Sequence, residues 1–222
     1  DDGTILELMK NLTVSSDSSL NFYQVALNNN TLTLGSDSTD LQIFSALTLD
    51  NSNELLITGG ADLTMHALQN ISVGGLTSTG GEISLQDGGL LSQSGILDIS
   101  GSTWTLGGDF EKSSGTLTIS ETTDLALSGS SSLTSDVSLS FENLNLNDFT
   151  LTLGSPTPGL TVINAITIDA STEGISTGEA DLVLMSALTM SEGLLDSTGG
   201  TWVFNGDFEK TGGTLSITDT DL

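Results

Sequence analysis

Apolar residues alternate with Thr, Ser and Asn over short stretches, and clusters of Gly, Asn, Asp and Ser separate those stretches. Leu32 and Leu34 in TLTLGS, or Ile166 and Ile168 in NAITID, place every second side chain on one side of the backbone. That is the period of a half-buried strand. Thr, Val and Ile suit strands, and the Gly, Asn and Asp between them suit corners where φ turns positive. No segment carries a helical period. The pattern predicts an all-β chain of short strands and frequent turns.

Those strands recur. Shifting the chain by 119 residues superposes Asp1–Leu63 on Ser120–Leu182 without a gap, and 27 of 63 positions match. TWTLGGDFEKSSGTLTI (Thr103–Ile119) returns as TWVFNGDFEKTGGTLSI (Thr201–Ile217), shifted by only 98. The difference, 119 − 98 = 21 residues, is a piece near Gly80–Ser100 that the second copy lacks. Within each copy a shorter step repeats. Phe22-x-x-Val25-x-Leu27 leads to Phe44-x-x-Leu47-x-Leu49 and then to Met65-x-x-Leu68, by 22 and 21 residues. Phe141, Ile163 and Met185 open the same motif at steps of 22.

The missing piece therefore equals one inner period. A solenoid can lose a whole rung and still stack its remaining rungs, whereas a β-sandwich would lose paired strands. The expected fold is a right-handed parallel β-solenoid (β-helix) with rungs of about 21–22 residues; right-handed is favoured because no strict hexapeptide repeat occurs. One continuous solenoid covers residues 1–222, with repeat 1 at 1–119, repeat 2 at 120–218, and 219–222 beginning a further repeat.

Composition narrows the functions. The 222 residues carry a net charge of −26 with only three Lys or Arg. No basic patch can form, which argues against nucleic acid and against anionic membrane surfaces. Hydrophobic residues at 36% support a folded chain rather than disorder. Without cysteine there is neither a disulfide framework nor a thiolate metal site. No apolar run approaches the length of a membrane helix. DDGTILELMK lacks the features of a signal peptide, so any export signal is expected outside this segment.

Candidate chemistry is sparse. Asp109/Glu111 and Asp207/Glu209 in the GDFEK copies are potential acids or ligands, but a repeat copies its packing with everything else. The expected role is a corner with packed Phe110 and Phe208 and solvated Glu–Lys neighbours. Trp104 and Trp202 are expected to pack, with a sugar-stacking platform as the alternative. Asp50-x-Ser52-x-Glu54 recurs as Asp169-x-Ser171-x-Glu173. Oxygen ligands on a tight turn can hold Ca²⁺, so Asp50, Glu54, Asp169 and Glu173 are calcium candidates, although neither EF-hand spacing nor the calcium β-roll nonapeptide is present; no other cofactor is expected. His66 is the single histidine, too few for a multi-His site. No G-x-S-x-G elbow occurs. Lyase chemistry on uronates needs basic groups, and Lys10, Lys112 and Lys210 are about 100 positions apart. A glycosidase needs only two carboxylates and stays open.

LNLNDFTLTLGS, GTWTLGGDF and SGTLTIS resemble the passenger segments of bacterial autotransporters and related large surface adhesins with β-helix repeats. The resemblance implies an extracellular or cell-surface location and a structural or adhesive role, and it carries no catalytic motif. The expected function is thus a non-enzymatic structural or adhesive solenoid. The alternatives are a carbohydrate-binding or carbohydrate-cleaving β-helix and a calcium-dependent surface-layer component. Neither end looks capped: Leu6 and Leu8 align with the internal Leu125 and Leu127, and Leu222 stops where Leu6 would begin the next copy. Leu6, Leu8 and Leu222 are therefore expected at an assembly interface with further repeats or with copies stacked head to tail, the other conceivable partners being surface glycans.

Overall fold

The computed structural model describes residues 3–35, 40–86, 88–120, 122–219 and 221. Among them, 31 strands of two to five residues follow one another with no helix. Every ladder is parallel, and each joins a strand to the third one before or after it. The chain is a β-solenoid of about ten coils, each coil contributing one strand to each of three faces. The step between coils is not fixed. It runs from 19 residues, Ile5 beside Gln24, to 24, Thr31 beside Leu55. Corners absorb the difference while the strands keep their register.

Alternation sends one set of side chains into the interior, where like sits on like. Leu20, Leu41, Leu63, Ile83, Trp104, Leu125 and Leu144 form one such column, each beside the next in register. Leu41, Leu63, Ile83, Trp104 and Leu125 are wholly buried. Each inward Leu or Ile removed from water contributes about 1.5–3 kcal/mol, so these columns carry the fold. Leu32, Leu34, Ile166 and Ile168 all point inward, as their alternation predicts.

The columns correct one detail of the pattern. After Met65 the inward positions are Gln69 and Ile71, not Leu68, which is 56% exposed. Gln69 is buried because its Oε1 accepts the Leu47 N–H at 2.7 Å and its Nε2 donates to the Ala67 carbonyl. It fills by hydrogen bonding a place that Leu188 fills by packing in the second copy. Met185 is likewise half exposed.

A further feature comes from counting strands. Ile5–Glu7 and its equivalent Asp124–Leu127 are seventeen strands apart. At three strands per coil, seventeen is five coils and two further strands. Equivalent stretches therefore lie on different faces. Thr31–Leu34 belongs to the six-stranded sheet, whereas Thr150–Gly154 belongs to the nine-stranded one. Residues 80–100 contribute three strands, Glu82–Leu85, Leu90–Ser92 and Ile96–Ile99, one for each face.

Candidate functional sites at the joints between coils

Among the described residues the ladders are interrupted at three places. Gln24–Ala26 and Thr48–Leu49 occupy successive coils of one face but belong to different sheets, and 119 residues later Leu144–Asn145 and Ile166–Ile168 repeat that gap. The third lies between Thr116–Thr118 and Leu139–Phe141, where the two sequence copies meet.

The first two gaps are built alike. The corner below turns on two left-handed residues, Asn28 and Asn29 (φ 50° and 63°) or Asn147 and Asp148 (φ 50° and 70°). Asn and Asp tolerate that conformation better than other non-glycine residues. A buried glutamate from the coil above then reaches down. Glu54 Oε1 accepts the Asn29 N–H at 3.0 Å, while its Oε2 accepts the Asp50 and Asn51 N–H groups at 2.9 and 3.1 Å. Glu173 does the same with Asp148 at 3.3 Å and with Asp169 and Ala170 at 2.9 and 3.3 Å. One carboxylate thus joins two coils where no strand ladder does. Beside each glutamate is a polar groove, of about 150 Å³ over Gln24–Asn28 and about 360 Å³ over Leu144–Asp148.

These are the four residues singled out for calcium. Glu54 and Glu173 give both carboxylate oxygens to backbone N–H donors, and Asp50 and Asp169 enter the arrangement through their own N–H groups. The two sets are carried on different sheets rather than brought together. Among the described residues no group of three or more His, Asp or Glu side chains is placed to hold a metal ion.

The GDFEK copies make a second kind of joint. Gly108 is required by close stacking: a Cβ there would lie 2.0 Å from the Gly88 carbonyl oxygen, and at Gly206 2.3 Å from the Ser186 carbonyl carbon. Asp109 faces solvent, and its Oδ1 accepts the Ser132 N–H from the coil above at 2.8 Å. A dent of about 500 Å³ lies here, floored by Gly88, Gly89 and Gly108 and rimmed by Asp109 and Glu111. Phe110 points inward, edge-on to Trp104 with ring centroids 5.0 Å apart.

Lys112 departs from expectation. It is 0% exposed, and its Nζ forms an ion pair with Asp136, which is 34% exposed. The reason is parity: Phe110, Glu111 and Lys112 alternate in, out, in. Lys112 lies between Ser92 and Ser135 in adjacent coils. The Asp136 N–H also donates to the Lys112 carbonyl at 3.2 Å. An isolated buried ammonium would cost several kcal/mol, so the partner is obligatory. The pair lies at the corner leading into the third gap and crosses from the first sequence copy to the second. Alternation plus the scarcity of basic residues was the available signal for it. In the second copy Phe208, Glu209 and Lys210 are all exposed.

The remaining candidates have structural surroundings. Trp104 and Trp202 are buried, so neither offers a ring face to a sugar. Trp202 Nε1 donates to Thr177 Oγ1 at 3.1 Å. His66 stacks flat on Phe44, centroids 4.6 Å apart. Leu8 is buried in the core and Leu6 packs partly against it, beside Val25; Leu222 lies outside the described residues. No helix is long and apolar enough to cross a membrane among the described residues. No family model, curated protein or solved structure matches this chain.

Proposed function

We propose that the chain is a non-enzymatic structural or adhesive solenoid of the cell exterior, one length of a longer stack of the same unit, within one polypeptide or between chains. The observation that carries this reading is the junction between the two sequence copies. Thr103–Leu106 pairs with Asp124–Leu127, and Phe110–Lys112 with Ser131–Ser135, so the end of one unit is a template for the start of the next. An interface that already joins two units inside the chain can join more, because a heterologous contact of this kind does not close on itself. The polar grooves beside Glu54 and Glu173 support a scaffold role: their carboxylates hold backbone, and no cation is required for that.

Electron microscopy of the parent material tests the reading. A slender rod or filament is the expected result, and a compact particle would overturn it. A glycan array combined with a reducing-sugar assay addresses the carbohydrate alternative, for which binding to one sugar class or release of reducing ends is the deciding signal.

A further inference from the structure

The third gap in the ladders lies in the middle of the chain, and it leaves one strand edge bare. Among the described residues, strand Thr116–Thr118 is bonded to Ile96–Ile99 in the coil below and to no strand in the coil above. The Thr116 N–H donates down to the Gly95 carbonyl at 3.0 Å. Residues of a strand in a parallel ladder bond alternately to the strands on either side. The N–H and C=O groups of Leu117 and Ile119 therefore face the coil above, and no hydrogen bond reaches them among the described residues. The coil above misses them because it takes a short cut. The two coils touch at Lys112, whose carbonyl accepts the Asp136 N–H at 3.2 Å, and again at Thr123, whose carbonyl accepts the Glu142 N–H at 2.8 Å. Between these contacts the lower coil takes 123 − 112 = 11 steps and the upper one 142 − 136 = 6. The surplus carries Thr116–Thr118 outward as a ledge. Its side chains agree: Leu97 in the coil below is wholly buried, whereas Leu117 beside it, and Ile119, are only half buried. The charges around the ledge are negative. Asp98 stands beside Thr118 one coil down, and Glu142 stands at the far end. The Lys at the near end, Lys112, is turned inward and paired with Asp136.

From these we infer that the ledge takes up an extended segment of a basic partner protein, which adds a parallel strand to Thr116–Thr118. A row of bare N–H and C=O groups is a template for another strand. In such strand addition the main-chain hydrogen bonds supply affinity and the alternate side chains supply specificity. Apolar residues at every second position of the segment cover Leu117 and Ile119, as Leu117 covers Leu97. Lys or Arg at the positions between point outward among Asp98 and Glu142, on a chain whose net charge is −26. A second copy of this chain is a poor occupant, because it carries only three Lys or Arg in 222 residues. The inference rests on the adhesive side of the reading above rather than on the stacking of units, and it gives that side a class of partner.

Hydrogen exchange of the whole chain with a synthetic peptide of alternating Lys and Val tests it. The Leu117 and Ile119 amides should exchange quickly in the free chain and slow when the peptide is added. Outward residues of this solenoid bond downward, as Thr116 does, so the Lys amides of the peptide face the ledge. N-methylating them removes two hydrogen bonds and should weaken binding by about tenfold or more. N-methylating the Val amides, which face away, should leave binding intact. Both peptides carry the same charge, so general attraction to an acidic chain affects them alike. Equal binding by the two, the reverse preference, slowing confined to other amides, or no binding would each overturn the parallel strand on the ledge. Equal binding by a peptide with Glu in place of Lys would overturn the basic class of partner. Slowing of the same amides in the chain alone, as its concentration rises, would put a second copy there instead. A rod by microscopy with no peptide bound sinks the ledge and not the stacking; a compact particle whose ledge still binds sinks the stacking and not the ledge.

Discussion

Two charged residues in the core do opposite kinds of work, and their substitutions should differ accordingly. Asp136→Ala leaves Lys112 buried without a partner. Removing one member of a buried pair costs about 3–5 kcal/mol, and the partial exposure of Asp136 puts this case near the lower end. Lys112→Met removes the charge that needed the partner and keeps the volume, so stability should change by less than about 1 kcal/mol. Denaturant melts of the two variants check the contrast; equal losses would show that the pair does not act as described. Glu54→Ala strips three backbone N–H groups of their acceptor and should cost about 3 kcal/mol, the scale for hydrogen bonds to a charged group. Excess chelator should leave the melting temperature of the unaltered chain unchanged, because both carboxylate oxygens are taken by backbone N–H groups. Sequence alternation revealed the apolar columns, and the same parity turns Lys112 inward, but it does not reveal the partners. A Lys or Gln at an inward position looks like a solvated residue until the neighbouring coil is in place, and Gln69 is satisfied by Leu47, 22 residues before it, and Lys112 by Asp136, 24 residues after it.

At the scale of elements, the second copy already displays the outcome of a deletion. In the first copy Trp104 stacks on Ile83, which stacks on Leu63. In the second, Trp202 stacks directly on Leu182, the counterpart of Leu63. Removing Gly80–Ser100 from the first copy would join Thr79 to Gly101 and give TGSTW, close to the TGGTW of Thr198–Trp202. That variant should fold and melt within a few degrees of the parent by calorimetry. Removing only Gly80–Gly89 should abolish cooperative melting, because strand and corner positions above the cut would no longer coincide with those below. Equal tolerance of both deletions would argue against whole coils as the units of stability. Gly108→Ala also belongs here: its methyl would meet a carbonyl oxygen of the coil below, forcing two coils apart. The expected loss is about 1–3 kcal/mol, as for other overpacked sites. The 21-residue difference made the coil legible in the sequence. The rotation of the repeat was not, because a rung length averaged at 21–22 hides steps of 19 to 24, and only the strand count shows that 119 residues end two faces past a whole number of coils.

For the whole molecule the net charge of −26 opposes the stacking of one coil on the next. Carboxylates on successive coils repel one another over a distance set by the ionic strength, about 30 Å at 0.01 M and about 8 Å at 0.15 M. The interior that holds the coils together is apolar, with the Lys112–Asp136 pair at one corner. Salt therefore acts on the two contributions unequally: it screens the repulsion between exposed carboxylates and leaves the apolar columns in place. The melting temperature should rise as sodium chloride goes from low to physiological concentration, the reverse of what a fold held by exposed ion pairs would show. Calorimetry across a salt series measures this, and a melting temperature that falls steadily with salt would contradict the apolar columns as the main support. The same geometry fixes a length. The 31 described strands make about ten coils, and at about 4.8 Å per coil the described solenoid should be roughly 50 Å long, which small-angle scattering measures. Because equivalent strands of the two sequence copies lie on different faces, the grooves beside Glu54 and Glu173 open on different sides of the solenoid, so a ligand taken by that groove would be held on two sides of the rod rather than along a single decorated face.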